Sequence, residues 1–282
     1  MSIIPGALYV VATPIGNLQD ITLRALEVLR NVDLILAEDT RHSARLLGHF
    51  GISTAVGSFH DHSERKLTED IIRRLQHGAT MALITDAGTP LISDPGYPLV
   101  NAAHAGGISV IPIPGPSALT GALSVAGLPT EKFVFEGFLP AKRTPRLRRL
   151  QELVLEGRTQ VFYEAPHRIC QLLEDLIQCY GPQRTATLAK ELTKLHETIR
   201  KDTLDNLYRW LLEDDLRQKG EFVLIVAGDL ASVPENSELE RVLKVLLRTM
   251  SAREAVTAAA EILQEPRNKL YKLAVKLGSG DG

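Results

Sequence analysis

Ionisable side chains collect directly after short apolar runs at four points of this chain: Glu38-Asp-Thr-Arg41-His42, Thr85-Asp86, Glu164-Ala-Pro-His167-Arg168 and Lys190-Glu191. If those runs are strands, the clusters stand at their carboxyl ends, where open α/β sheets hold ligands. Asp86 opens a loop, residues 85–96, containing two Gly, two Pro and two Asp, and Gly88 leaves room there for close backbone approach. Asp-Ala-Gly or Asp-Pro-Gly alone serves equally well as a plain turn. A second rigid loop, Pro112-Ile-Pro114-Gly-Pro116-Ser117-Ala118, has three prolines, and Ser117 is placed to cap a helix running to about Ala126. Free N–H groups at such a helix start suit a carboxylate or phosphate, and an ordinary capped turn is the alternative. His60-Asp-His62 can present two imidazoles to a metal, but with no third ligand nearby a polar rim or substrate contact is the preferred reading, and no metal is expected.

The elements needed to position these groups alternate strand and helix. Residues 8–13 form an apolar β-branched run that stops at Pro14-Ile-Gly16-Asn17. A helix follows, capped by Thr22 or Asp20, with Leu23, Leu26 and Leu29 on one face, and then a strand over residues 32–37. This βαβ order predicts a parallel sheet with right-handed crossovers. A helix over 41–50 closes at Gly51, another over 64–77 at Gly78, a strand covers 81–84, a helix 97–105 and a strand 108–111. Gly127-Leu-Pro-Thr130 marks a boundary, after which residues 133–138, 158–163, 185–189 and 222–227 read as strands of a second lobe, with a helix at 204–212. Beyond Pro234 only helical stretches remain, at 239–247, 252–263 and 268–277. The expected fold is α/β: two α/β lobes, 1–128 and 129–232, with a ligand cleft between them, plus a small C-terminal helical module, 236–278.

Bulk composition narrows the function. The 282 residues carry 32 basic and 34 acidic side chains, so any affinity for nucleic acid has to be local. Pro140-Ala-Lys142-Arg143-Thr-Pro-Arg146-Leu-Arg148-Arg149 has five basic residues and no acid, as expected of a solvated helix face or of a phosphate contact. The last helix carries Lys269, Lys272 and Lys276 on one face, so the tail reads either as a helix-turn-helix module or as a helical cap. Cys170 and Cys179 fit neither a zinc knuckle nor a disulfide framework. No apolar stretch approaches eighteen residues and the amino terminus lacks signal-peptide character, so cytoplasm is the expected compartment. Walker, Gly-x-Gly-x-x-Gly and Gly-x-Ser-x-Gly patterns are absent, which leaves nucleotide hydrolysis, Rossmann dinucleotide binding and serine-hydrolase chemistry without sequence support.

Thr13-Pro-Ile-Gly16-Asn17, Thr85-Asp-Ala-Gly-Thr-Pro90, Pro114-Gly-Pro-Ser-Ala118 and Gly220-Glu-Phe-Val-Leu-Ile-Val-Ala-Gly228 together resemble, in order and spacing, the tetrapyrrole methylase superfamily of class III S-adenosylmethionine-dependent methyltransferases. Glu38-Asp-Thr-Arg41, Phe162-Tyr-Glu-Ala-Pro-His-Arg168, Lys190-Glu-Leu-Thr-Lys-Leu-His-Glu197 and the helical tail are similar to its bacterial branch that methylates the ribose 2′-hydroxyl of a cytidine in small-subunit ribosomal RNA. The first loop departs from the superfamily's Gly-x-Gly-Pro-Gly form. The resemblance implies S-adenosylmethionine as cofactor, held in the cleft by Pro14, Asp86, Thr89, Ser117, Ala118, Glu164, Leu192, Ala227 and Gly228. It implies small-subunit rRNA or the 30S subunit as partner, a homodimer, and no need for a metal. Under it, Glu38, Asp39, Lys190 and Glu191 become candidates for a general base or for hydroxyl positioning, with Arg41 as a phosphate or carboxylate partner; each could instead form a cap or salt bridge at a strand end. For RNA the candidates are Lys142, Arg143, Arg146, Arg149, His167, Arg168, Lys269, Lys272 and Lys276. Two other readings stay open: a small-molecule methyltransferase acting on a tetrapyrrole-like ring, and an RNA-binding assembly factor without turnover.

Overall fold

The computed structural model describes residues 3–59, 61–229 and 237–278. The chain divides into two compact units, 1–151 with 159–227, and 152–158 with 228–282. The first unit contains both sheets.

The amino-terminal half alternates β1 (Leu8–Val11), α1 (Leu23–Asn31), β2 (Leu34–Ala37), α2 (Thr40–His49), β3 (Val56–Ser58), α3 (Asp61–Gln76), β4 (Met81–Ile84), α4 (Tyr97–Ala105), β5 (Val110–Ile113) and α5 (Ala118–Val125). Its sheet has the order β3-β2-β4-β1-β5, with every pairing parallel, as the βαβ pattern predicts. Side chains alternate between faces along each strand. Tyr9, Val11, Ile35, Ala37, Ala82 and Ile84 therefore join Leu26 and Leu29 of α1 and Leu46 and Leu47 of α2 in one core. Leu8, Leu36, Met81 and Leu83 join Ile71 and Leu75 of α3 and Leu99 and Ala103 of α4 in the other. Thr22 caps α1 through its hydroxyl, 3.1 Å from the Ala25 amide, and Gly51 takes the left-handed conformation (φ 61°) just beyond α2. The strand expected at 108–111 instead continues through Pro112 to Ile113. It is an edge strand, where a missing N–H costs no ladder bond.

The second half runs β6 (Phe133–Phe138), α6 (Arg143–Leu153), β7 (Thr159–Glu164), α7 (Ile169–Tyr180), β8 (Thr185–Lys190), β9 (Thr198–Thr203), α8 (Leu204–Leu212) and β10 (Phe222–Val226). Its sheet, β6-β7-β10-β8-β9, is mixed: β6 and β7 are parallel, and β10 and β9 run antiparallel to their neighbours. The sequence reading did not contain β9, because Thr-Ile-Arg-Lys-Asp-Thr has only one apolar side chain and sits on a sheet edge. α5 and its C-cap pack Ala122, Leu123 and Ala126 against Val161, Ala189, Val223 and Ile225 of this second sheet, which ties the two sheets into one body.

In the second unit α9 (Ser237–Leu246), α10 (Ala252–Leu263) and α11 (Arg267–Gly278) close around Leu239, Leu243, Val256, Ala259, Leu270 and Leu273. Ser251 and Glu254 form a reciprocal capping box at the start of α10. His60 lies outside the described residues, as does the side chain of His62, so the paired-imidazole expectation has no structural counterpart here. Among the described residues no helix is long and apolar enough to cross a membrane.

Candidate functional site: a cleft between the two sheets of the first unit

A cavity of about 360 Å³ is bordered by Ile15 of the first loop, Gly88, Thr89 and Asp94 of the loop after β4, Ser117 and Ala118 at the start of α5, Tyr163, Ala189 and Val223 of the second sheet, and Leu192 of the loop after β8. Its size falls within the range of roughly 300–1,000 Å³ common for small-molecule sites. The walls are held by short backbone bonds. Thr13 and Gly88 exchange N–H···O bonds of 2.8 and 3.0 Å, and the Thr89 hydroxyl donates to the Pro116 carbonyl at 3.1 Å. Gly88 has φ 86°, a conformation that strains any residue with a Cβ. Ser117 occupies the N-cap position of α5 but makes no capping hydrogen bond, which leaves its hydroxyl and the first amides of α5 at the cavity wall.

On the opposite wall, Leu192 belongs to a loop in which Glu191 and Thr193 both have positive φ, 54° and 66°. Lys194 braces that loop with ion pairs to Glu191 (2.9 Å) and Glu221 (3.0 Å), and its stem lies so close to Gly16 that an added Cβ would meet it at 2.5 Å. Burial works against the charge of Glu191, but the bonds from Lys194 and the Glu221 amide outweigh it and hold the carboxyl below its usual range.

The cavity thus brings together Thr89, Ser117, Ala118 and Leu192 of the expected cofactor residues. Pro14 and Asp86 border a smaller cavity of about 120 Å³ with His42 and Arg45, and Asp86 accepts the Asp39 amide at 3.2 Å. Glu164 also borders the main cavity, but strand alternation turns its carboxylate elsewhere. It stands in register with Phe222 and Lys190, on the face opposite Tyr163, Ala189 and Val223, and lies 3.0 Å from Arg168 Nε. Ala227 and Gly228 require correction. Because β10 is antiparallel to β7, its amino end, Phe222, lies beside Glu164, while Val226 pairs with Gln160 at the far end of the sheet. Ala227 accordingly follows the end remote from the cavity, and Gly228 packs against Gly157.

The proposed bases are also redistributed. Lys190 is buried and its ammonium donates to the Leu216 carbonyl at 3.1 Å, away from the cleft wall formed by Ala189, so the expectation that it acts in the cleft is corrected. Asp39 is the N-cap of α2, accepting from the Arg41 and His42 amides, and the Arg41 guanidinium and amide keep its carboxyl below the ordinary aspartate value. Arg41 is otherwise open to solvent. Glu38 follows β2 half-buried and borders neither cavity.

Among the cations expected to meet RNA, Arg146 is corrected most clearly. It is 1% exposed and its Nε lies 2.8 Å from Asp175 Oδ2 on α7, while Arg143 holds the other Asp175 oxygen at 2.8 Å. Arg149 is bound to Glu136 and Arg168 to Glu164 and the Leu139 carbonyl. Lys269 pairs with Glu265 at 3.2 Å. Lys142, His167, Lys272 and Lys276 have exposed side chains.

Burial raises the pKa of Glu164, against the opposing pull of the Ala165 amide and Arg168. A carboxyl that binds its proton more tightly when folded lowers stability as pH rises from the ordinary value of 4.5 through its raised folded value, and the loss persists above that. Glu164→Gln should therefore raise the thermal midpoint of the protein at pH 8, and the gain should vanish below pH 4. Calorimetric melts across that range check it; a lower midpoint for the variant at pH 8 would show that the Arg168 pair dominates.

The two-sheet architecture is that of solved tetrapyrrole methyltransferases. Uroporphyrin-III-C-methyltransferase from Thermus thermophilus superposes with a TM-score of 0.56 at 21% identity, covering 79% of this chain and 94% of that one. The cobalamin biosynthetic enzyme cobalt precorrin-4 methyltransferase does so with 0.54 at 16%, covering 79% and 95%. These likenesses establish the fold. The chain belongs to the family described as Tetrapyrrole (Corrin/Porphyrin) Methylases, whose profile matches residues 7–208, and residues 233–278 match the RsmI C-terminal HTH domain. It is 52% identical to the Ribosomal RNA small subunit methyltransferase I of Pseudomonas aeruginosa, over 96% of this chain and 97% of that protein. It is 48% identical to the protein of the same name from Escherichia coli O157:H7, over 96% and 95%.

Sequence reasoning missed one prominent cleft residue, Asp94. Its pKa is raised to about 6 by burial and by the negative charges of Glu38 and Asp86. The signal available was a second carboxylate in the loop already singled out around Asp86.

Proposed function

We propose that this protein transfers a methyl group from S-adenosylmethionine to the 2′-hydroxyl of a cytidine in small-subunit ribosomal RNA, acting in the cytoplasm as a homodimer on the 30S subunit or its RNA. The observation that carries the reading is end-to-end similarity, including the tail domain, to proteins named Ribosomal RNA small subunit methyltransferase I. The cavity's composition supports the cofactor. Ser117 and the first amides of α5 offer donors to a carboxylate, Asp94 offers an acceptor, and Ile15, Ala189, Leu192 and Val223 provide apolar wall for a nucleoside. The bound cofactor would supply a methyl group made electrophilic by its sulfonium, with a neutral leaving group. The chain's own contribution is alignment of acceptor and donor, for which rigid loops such as the Thr13–Gly88 clamp are suited.

For the RNA, exposed Lys142, His167, Lys272 and Lys276 are the proposed phosphate contacts. Lys272→Glu should weaken binding to small subunits and reduce its salt dependence by about one counterion, read from affinities at several salt concentrations; an unchanged slope would remove Lys272 from the contact.

The function is tested by incubating the protein with tritiated S-adenosylmethionine and undermethylated small subunits, then digesting the RNA to nucleosides. Label in 2′-O-methylcytidine is expected; label entering only a tetrapyrrole-like acceptor, or no acceptor, would contradict the proposal.

A further inference from the structure

The cavity of about 120 Å³ lies next to the large one and shares its loops. In the loop after β1, Pro14 borders the small cavity and Ile15 the large one; in the loop after β4, Asp86 borders the small and Ala87 the large. Thr13 and Gly88 exchange backbone bonds across the same two loops, so the partition between the cavities is firmly held. The remaining wall is α2, where His42, Arg45 and Leu46, three and four residues apart, share one side with Ser43. The volume is well below the roughly 300 Å³ at which sites for whole small-molecule ligands begin, and suits a single ring.

The polar groups of this cavity lack partners. Ser43 is 2% exposed, yet its hydroxyl has no hydrogen-bond partner, where a buried polar atom is nearly always bonded. Asp86 accepts the Asp39 amide at 3.2 Å on one carboxylate oxygen, and no donor among the described residues reaches the other. Arg45 forms no ion pair among the described residues. Pro14, Leu18 and Leu46 complete the lining with apolar surface.

We propose that this cavity receives the base of the target nucleotide, and that Asp86 selects cytosine by accepting its N4 amino group. This rests on the methyltransferase reading above and names the substrate feature that reading requires. The edge of cytosine carries one donor, the N4 amino group, beside two acceptors, N3 and O2. The cavity offers the complement: a carboxylate to accept, with the Arg45 guanidinium and the Ser43 hydroxyl to donate. A carboxylate accepting from N4 is a recurrent cytosine contact. Uracil turns O4 toward the carboxylate and a donor, N3–H, toward the guanidinium, so it is rejected by repulsion and by unpaired groups. A phosphate would suit Arg45 but meets the charge of Asp86, and a purine has one ring too many for the volume. The base enters unstacked, as single-stranded RNA permits. Its ribose then stands at the partition, beside the space assigned to the cofactor.

The test uses small subunits carrying either cytidine or uridine at the position labelled in the functional assay. Wild-type transfer at limiting subunits should favour cytidine by about tenfold or more. In Asp86→Asn the preference should fall to within about threefold, because an amide both accepts and donates; the ratio is taken within one variant, so any change in cofactor binding cancels. Ser43→Leu, which fills the cavity with a good helix former, should slow transfer by roughly a hundredfold with S-adenosylhomocysteine affinity within about threefold of wild type. Arg45→Ala, at an exposed position, should slow transfer at limiting subunits about tenfold without altering its salt dependence. A wild type that methylates both bases equally would overturn the assignment. So would an Asp86→Asn protein that keeps the wild-type preference, a folded Ser43→Leu protein with wild-type transfer, or an Arg45→Ala loss accompanied by a salt slope reduced by about one, the mark of a phosphate contact. If Asp86→Asn transfers too little for a ratio, the other two variants decide. A wild type that labels no RNA would instead overturn the functional reading.

Discussion

Asp175→Ala should destabilise the protein by about 3–5 kcal/mol, since it strands a buried guanidinium without its counter-charge. Arg146 and Asp175 are each 1% exposed and joined at 2.8 Å, and the remaining Asp175 oxygen is held by Arg143. A second Arg146 nitrogen donates to the Ala141 carbonyl at 3.2 Å, so α6, the chain leading into it and α7 depend on one carboxylate. The thermal midpoint should fall by on the order of 10 °C. Replacing both members, Arg146→Met with Asp175→Leu, should recover most of the loss, because an apolar pair needs no desolvation of charge. An unchanged midpoint in Asp175→Ala would mean that Arg146 has another partner and remains a candidate for RNA. The expected loss has a bearing on function: diminished RNA binding by an Arg146 variant would report a damaged lobe, so the exposed Lys142 and Lys272 are the cleaner probes of the RNA surface.

Ala118→Trp should abolish cofactor binding while leaving the fold intact. Ala118 opens α5 and borders the cavity beside Ser117, so an indole there enters the space assigned to the ligand. Crowding on this scale costs about 1–3 kcal/mol in a packed core and more when a whole ligand must be displaced, so S-adenosylhomocysteine affinity should fall by roughly a hundredfold or beyond. Ala118→Ser should stay within about tenfold. Binding to small subunits in the absence of cofactor should persist in both variants. Wild-type cofactor affinity in Ala118→Trp would place the ligand outside this cavity.

Much of the first sheet was legible because its determinants are local. The continuous apolar runs of β1, β2 and β4, the Thr22 cap and the left-handed Gly51 each leave a signature within a few residues. The grouping of Thr89, Ser117, Ala118 and Leu192 was legible through the loops that carry them. Strand direction was not. Residues 222–226 announce a buried strand, but nothing in them says which way it runs, and only the antiparallel pairing with β7 puts Ala227 at the end away from the cavity. Side-chain parity at a strand's last residue is similarly hidden: Lys190 and Ala189 are neighbours in sequence, yet only Ala189 faces the cleft. The basic run misled for a different reason, because its acidic partners, Glu136 and Asp175, lie in other elements. Asp94 depends on two non-glycine residues in left-handed conformations, Leu91 and Ser93, which tertiary packing enforces and local propensity does not reveal.

Methyl transfer by this protein requires the cleft between the two sheets to be a cofactor site. Isothermal titration of the purified wild-type protein with S-adenosylhomocysteine, under conditions where calorimetry shows a cooperative melt, measures this directly. Saturable binding, lost in Ala118→Trp, is the predicted result. A folded wild-type protein that takes up neither S-adenosylhomocysteine nor S-adenosylmethionine would contradict it.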